Sequence, residues 1–307
     1  VILNNKVEKP FFSVVIPTYN HEALLEKAVK SVLNQTFQNY EIIIIDNYSE
    51  DNTENLIKNF NNEKISYIKN RNYGLIAKSR NLGIAKSKSE WIAFLDSDDC
   101  WYKDRLQKLF DFIINNKDYP IICTSELIVN KINEKKKVRN YGPYKKNFYK
   151  DLIKYGNCIS TSGSIIKKEI LKENKVLFSE VKDFAPYEDY DFWMRLAQKN
   201  IKFKFLNSVL GEHLFHTESW GAKNKLLCKK SNLSILEYHV FKIQSFTPQK
   251  NNLWSHIKCR LLIEDIIELL IMRNYYHAFS LLFKLFFRYP IKSIIHIFVK
   301  FKKIFLI

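Results

Sequence analysis

The sequence predicts an α/β protein: a Rossmann-like, mostly parallel sheet flanked by helices, followed by a basic helical extension. Three observations carry that expectation. Short, almost wholly apolar runs recur at 13–17, 41–46 and 91–95 (SVVIP, EIIIID, WIAFL), and strands buried on both faces read as continuous apolar segments rather than alternating ones. Segments with apolar residues at three- and four-residue spacing lie between them, as helical crossovers require. The second and last runs end in acids, Asp46 and then Asp96, Asp98 and Asp99, and open α/β sheets bind ligands beyond the carboxyl ends of their strands.

The 307 residues, 46% of them hydrophobic, suffice for one large α/β domain and an appendage. Five cysteines, at 100, 123, 158, 228 and 259, form no CxxC pair. That pattern indicates neither a zinc ribbon nor a disulfide framework and makes a reducing compartment the default. The opening VILNNKVEKPFF lacks the basic-then-apolar layout of a secretion signal. The formal charge of +17 is uneven, +6 over residues 1–219 and +11 over 220–307. By charge alone the basic tail suits nucleic acid, anionic lipid or an anionic substrate.

Taken in order, 13–17 is the first buried strand, and Pro17, Thr18, Tyr19 and Asn20 turn the chain into a helix over 22–36. The run 41–46 is the second strand. In NYSEDNTE, either Asp51 with Glu54 or Ser49 can cap the helix NLIKNF. KISYIK, 64–69, is the third strand. RNYGLIAKSRNLGIAKS then places Gly74 in a turn before a helix in which Ala77, Arg80, Asn81 and Ala85 recur at helical spacing.

The fourth strand, 91–95, ends in Asp96, Ser97, Asp98 and Asp99. Clustered carboxylates repel one another unless a cation intervenes, so this Asp-x-Asp is a candidate site for a divalent metal carrying a phosphorylated ligand. The competing reading is a solvated turn, with Asp99 or Asp104 capping the next helix. No GxGxxG loop is present. Without that backbone cradle, a metal on Asp96 and Asp98 is the natural way to neutralise a pyrophosphate. Residues 102–118 read as a helix, 120–129 as a strand and 131–149 as a charged hairpin or loop. Glu188, Asp189 and Asp191 open an amphipathic helix over 186–199. The helix dipole favours acids there, and a carboxylate so placed can also serve as a general base.

The ordered segments VVIPTYN, NQTFQNYEIIIIDNYSEDNT, RNYGLIAKSRNLG, FLDSDD and YEDYDFWMRL, over about residues 12–200, resemble glycosyltransferase family 2, inverting nucleotide-sugar transferases of the GT-A fold. The resemblance implies that Pro17, Tyr19 and Asn20 line the nucleotide pocket, with Tyr19 beside the base and Asp46 on the uracil edge. Arg71, Gly74 and Arg80 match the next motif, completed by Asn81, and Arg80 would face the pyrophosphate or base. Asp96 and Ser97 would join the nucleotide site, Asp96 through ribose or a metal-bound water, and Asp98 would ligate Mn2+ or Mg2+ directly. Asp189 would be the base, with Glu188 its neighbour and Asp191 third. His216, with Ser219 three residues on, would complete the metal site or meet the diphosphate, with His213 second to it. After Asp46 the chain has Asn47, Tyr48 and Ser49 where the family commonly continues Asp-Gly-Ser or Ala-Ser, a departure at the pocket's rim.

The resemblance ends near 220, which divides the chain into 1–220, a GT-A catalytic domain, and 221–307, a helical basic region. Residues 257–272 predict one amphipathic helix. The remainder is dense in Phe, Ile and Leu, yet its longest uncharged run, 274–283, is ten residues, against the roughly 20 that a spanning helix needs. The tail is expected to lie on an anionic membrane surface or to pack as a helical bundle. Together these features imply a metal-dependent inverting transferase. It would move a hexose from a UDP-sugar to a glycan or lipid-linked acceptor in bacterial cell-surface glycan synthesis, at the cytoplasmic face of the plasma membrane, with no nucleic acid as partner. The alternative is a non-catalytic polyanion- or membrane-binding adaptor on a degenerate transferase fold. A nucleotidyltransferase is disfavoured by the missing glycine-rich triphosphate loop.

Overall fold

The computed structural model describes residues 9–217, 223–243, 246 and 249–305. The chain divides into two compact units. The first comprises the residues up to Tyr144 together with Cys158–Ser231, and the second Lys145–Asn157 together with Asn232–Ile307. The division after Ser231 lies beyond the expected one at 220, and a short piece of the middle of the chain belongs with the tail.

The first unit is built on a sheet which, among the described residues, has nine strands: β1 (Phe12–Thr18), β2 (Tyr40–Asp46), β3 (Ile65–Lys69), β4 (Trp91–Phe94), β5 (Cys100–Trp101), β6 (Ile121–Asn130), β7 (Lys136–Arg139), β8 (Ser164–Lys167) and β9 (Phe203–Phe215). The order is β3-β2-β1-β4-β8-β6-β9-β5, with β7 paired to β6. β3, β2, β1 and β4 are mutually parallel. β8 is antiparallel to both β4 and β6, and β9 returns parallel to β6. The fold is therefore mixed α/β, with a wholly parallel first half.

The apolar runs behave as expected: β1 and β2 are buried along their whole length. Ile42 to Ile45 are each no more than 1% exposed, and burial of such side chains stabilises by roughly 1.5–3 kcal/mol apiece. The crossovers are α1 (Glu22–Leu33), α2 (Thr53–Phe60), α3 (Ile76–Lys86) and α4 (Arg105–Asn115). α1 buries Leu25, Ala28, Val29 and Val32. α3 lies so close to β1 that a Cβ on Gly83 would sit 2.3 Å from Val15 Cγ1. Only glycine permits that approach.

Three differences from the sequence reading bear on the site. The helix expected over 102–118 runs only from Arg105 to Asn115, and just before it Cys100 and Trp101 form β5 against Glu212 and Gly211 of β9. β9 itself has no counterpart in the sequence reading. The charged stretch after 130 does form a hairpin, with β7 returning on β6, but its end becomes the helix α5 (Phe148–Tyr155), a member of the second unit.

The first unit is completed by α6 (Lys168–Asn174) and α7 (Glu188–Gln198). In the second unit the helix expected over 257–272 runs from Lys250 to Ile271, and the apolar end of the chain forms Tyr275–Arg288 and Pro290–Phe305. Cys259, Ile263, Ile266 and Leu285 form its small core. Among the described residues no helix is long and apolar enough to cross a membrane.

Candidate active site

The carboxyl ends of β1, β2 and β4 point to one side of the sheet because these strands are parallel. At the end of β2, Asp46 is fully buried. Its carboxylate accepts from the Ser49 backbone N–H at 3.0 Å, from Ser49 Oγ at 2.5 Å and from the Tyr67 hydroxyl at 2.6 Å. Burial and the adjacent carboxylate raise the Tyr67 pKa, so that hydroxyl stays a donor. Ser49 also accepts from the Asn20 N–H at 2.8 Å, and Asn20 Oδ1 accepts from the Glu50 N–H at 2.8 Å. Asn20 adopts φ +50°, a left-handed conformation that asparagine tolerates better than most residues. The end of β1 and the turn after β2 are thus laced together. Pro17 is buried within β1, whereas Tyr19 stands 47% exposed.

The segment before α3 forms the next wall. Gly74 has φ +78°, and its N–H donates to Asn72 Oδ1 at 2.9 Å. Asn72 is buried, donates its backbone N–H to Asn47 Oδ1 at 2.8 Å, and donates its side-chain amide to Ser79 Oγ at 3.0 Å. The exposed Arg71 guanidinium lies 4.8 Å from the Tyr48 ring centre, within cation–π range. Tyr48 therefore fills the rim where the family pattern departs.

Arg80, 4% exposed, is the hub. One terminal nitrogen donates to Glu188 Oε1 at 2.6 Å and the other to Asp96 Oδ1 at 2.7 Å. Burial works against its charge, but Asp96, Glu188 and Asp189 outweigh it and raise its pKa. Its Nε has no hydrogen-bond partner, and its face covers the Phe178 ring at 5.3 Å. Asn81 fixes that ring's backbone from both sides, donating to the Phe178 carbonyl and accepting from its N–H, each at 2.9 Å. One arginine thus joins the acids after β4 to the acids opening α7, with Glu188 lying 108 residues beyond Arg80 in sequence.

After β4 the four polar residues take separate tasks. The Asp96 backbone N–H donates to Ser162 Oγ at 3.1 Å, and its side chain is 31% exposed. Ser97, nearly buried, shares a 2.9 Å hydrogen bond with His21 Nδ1. Asp98 Oδ2 lies 3.2 Å from His216 Nε2. Asp99 is 2% exposed and engages His213 Nδ1 at 3.1 Å and the Leu214 N–H at 3.0 Å. Burial pushes the Asp99 carboxyl up to about 6. Burial alone would lower His213, but Asp99 carries it to about 9. That pair clasps β9 to the loop and so delivers His216 to Asp98; Asp99 and His213 are anchors. Ser219 lies outside the described residues.

At the start of α7, Glu188 is 2% exposed and its Oε2 has no partner. Burial pushes its carboxyl up to about 7 against the pull of Arg80. Asp189 is only partly buried. Its Oδ2 accepts from Thr161 Oγ1 at 3.1 Å and its Oδ1 from the Tyr190 N–H at 2.7 Å. Desolvation raises its pKa as well, with Arg80 opposing. Asp191, expected as the third acid, is wholly buried and bound by Arg195 through Nε at 2.8 Å, so its carboxylate is committed within the helix.

Among the described residues no three His, Cys, Asp or Glu side chains converge as a ready-made metal cage. The donors at the end of β4 are carboxylates of Asp96 and Asp98 with the His216 imidazole. They fit a hard cation that takes its remaining ligands from phosphate oxygens and water, as Mg2+ does in phosphoryl sites. Sequence reasoning missed His21, Tyr67, Thr161 and Ser162. Only His21, next to Asn20, carried a local signal.

Comparison with known proteins places these features. The family model described as glycosyl transferase family 2 matches residues 13–174. The chain is 29% identical, over 72% of its length and 84% of the relative's, to the UDP-Glc:alpha-D-GlcNAc-diphosphoundecaprenol beta-1,3-glucosyltransferase WfaP of Escherichia coli. Among solved structures, Staphylococcus aureus TarS 1-349 in complex with UDP-GlcNAc superposes with a TM-score of 0.60 at 20% identity, covering 80% of this chain and 71% of that one. A Pyrobaculum calidifontis mannosyltransferase in complex with GDP-Man and Mn2+ also gives 0.60, at 13% identity, covering 97% of this chain and 88% of that one. At such identities the two structures speak to the fold.

Proposed function

Since the chain belongs to glycosyl transferase family 2 and is a glycosyltransferase, we propose that it transfers a hexose from a UDP-sugar, with inversion, to a hydroxyl of a glycan or lipid-linked acceptor at the cytoplasmic face of a bacterial membrane. The observation that carries this reading is the Arg80 bridge between Asp96 and Glu188, which sets the acids after β4 beside the acids opening α7. A diphosphate and an acceptor can be held there at once.

In this reading Asp46, Asn20 and Tyr19 hold the uridine, and Asp96 with Ser97 meets the ribose. Asp98 and His216 hold Mn2+ or Mg2+, which would supply positive charge to the departing diphosphate. Arg80 keeps the acids in register without leaving its own charge unpaired. Asp189 accepts the acceptor's proton as that oxygen bonds to the anomeric carbon. The bond from that carbon to the diphosphate breaks with its electron pair leaving on UDP, so one in-line displacement inverts the configuration. Asp189 suits this role better than its neighbours, because Glu188 is enclosed against Arg80 and Asp191 against Arg195. The UDP preference is supported by the relative and the TarS complex, whose printed donors are UDP-sugars. With the acids of the chemistry all in place, this reading stands above that of a polyanion-binding adaptor.

Thermal shift tests it. UDP with Mn2+ should raise the melting temperature of the wild-type chain, and Asp98→Ala should lose the metal-dependent part. Asp189→Asn should keep UDP binding and lose transfer. An Asp189→Asn protein with full turnover would remove that residue from the base role. Equal protection by UDP with and without metal would remove the metal.

A further inference from the structure

The helices Tyr275–Arg288 and Pro290–Phe305 of the second unit carry more apolar surface than their packing uses. On the first, Ala278 and Leu285 are buried, and Leu281 and Leu282 pack against the core of Cys259, Ile263 and Ile266. An ordinary surface helix has one such stripe and a polar face opposite. Here the opposite face is aromatic. Tyr276, Phe279, Phe283 and Phe287 follow at i, i+3, i+7 and i+11, with exposures of 82%, 66%, 77% and 85%. Beyond Pro290, Ile291 and Phe298 continue the pattern at 74% and 68%. Single exposed apolar residues need no explanation, but a row of this kind marks an interaction surface.

Charge selects what covers it. After Glu268 the sequence holds seven Lys and Arg and no Asp or Glu. Lys284 and Arg288 are exposed, each directly following an aromatic of the stripe. A second copy would bring the same cations to face these, and like charges repel. A surface of anionic headgroups would pair with them, while its acyl boundary takes the aromatics. Among the described residues neither helix is long and apolar enough to span a bilayer.

We propose that this two-helix face docks the protein on an anionic lipid bilayer, with the aromatic stripe inserted just below the headgroups and the adjacent cations on their phosphates. The proposal deepens the function above by naming the surface on which a lipid-linked acceptor is met. It rests on that reading for its purpose, but not for its measurement.

The test uses the full chain and sedimentation with vesicles of phosphatidylcholine, alone or mixed with phosphatidylglycerol. Wild type should pellet with the mixed vesicles and release as salt rises. The variant Phe279→Ser, Phe283→Ser, Phe287→Ser should bind at least about tenfold more weakly, with an unchanged melting temperature because the replaced rings are exposed. Lys284→Glu with Arg288→Glu should lose the preference for phosphatidylglycerol. Equal pelleting of wild type and the triple serine variant overturns the proposal. So does a wild-type dimer in light scattering that this variant converts to a monomer without altered vesicle binding, an outcome that assigns the face to a second copy. UDP-sugar hydrolysis without acceptor is followed in parallel. Its absence in a chain that binds vesicles counts against the transferase reading, and its presence in a chain that does not counts against the docking face.

Discussion

Replacing Arg80 by methionine should unfold the first unit at a markedly lower temperature, by an amount that depends on pH. The guanidinium is 4% exposed and holds Glu188, itself 2% exposed, at 2.6 Å. Removing one partner of a buried ion pair costs about 3–5 kcal/mol, because the other charge is left without compensation. In a domain of this size each kcal/mol lowers the melting temperature by roughly 2–4 °C, so the expected drop is roughly 6–20 °C. Glu188 sets the pH dependence. Burial has already pushed its carboxyl up to about 7 with Arg80 opposing, and without Arg80 it must rise further. A carboxyl raised on folding binds its proton more tightly in the folded state. Its contribution to stability is therefore present below the ordinary carboxylate pKa and is lost as pH rises through the folded value. The deficit of the Arg80→Met protein should be smaller at pH near 5 than at pH near 8. Adding Glu188→Gln should recover much of it, since the stranded charge is gone. Calorimetry of the four proteins in that cycle decides the matter. A drop equal at both pH values, or strictly additive losses in the double variant, would show that the bridge does not carry the charge assigned to it.

Tyr67→Phe removes the hydroxyl that donates to Asp46 at 2.6 Å. It should weaken UDP binding by about 1–2 kcal/mol, roughly 5- to 30-fold; an unaltered Kd by titration calorimetry would take Tyr67 out of the site. Gly83→Ala places a methyl 2.3 Å from Val15 Cγ1 and should cost about 1–3 kcal/mol in denaturant unfolding, because α3 must back away from β1; no loss would mean that the helix moves freely there. Desolvation raises the Asp189 pKa, so kcat/KM should climb with pH along an acidic limb lying above the ordinary aspartate value of about 3.9. A limb at or below that value would point to a solvated base.

The parallel half of the sheet was legible because its strands are nearly pure apolar runs: Ile42 to Ile45 have no other fate than burial. Their terminal acids, Asp46 and Asp96, were legible for the same reason, since a carboxylate closing such a run must have work or partners. β9 was not. FKFLNSVLGEHLF alternates for only a few residues before its irregular register begins, and period-2 reading fails across bulges. β5 is two residues long and exists only by pairing. In the site, Arg80, Asp98 and Asp189 lay in motifs, whereas Tyr67 and Thr161 act through bonds to residues 21 and 28 positions away. The Arg195 contact of Asp191 was not legible, because nothing local distinguishes an acid that faces a substrate from one that an arginine four residues on engages.

The uneven pairing of β9 with β6 sets a parity rule. Between Thr124 and Leu127 the sixth strand advances three residues, while its neighbour advances six, from Leu206 to Glu212. Side chains on a strand alternate sides, so deleting a single residue from that surplus would rotate everything downstream by half a turn, presenting Leu214 where His213 now greets Asp99. Deleting two would restore the side but shorten the reach by roughly 6–7 Å, stranding His216 short of Asp98. Length changes between the bulge and His216 are therefore excluded, and an engineer wishing to graft a different C-terminal region should keep the chain through Ser231, where the first unit ends.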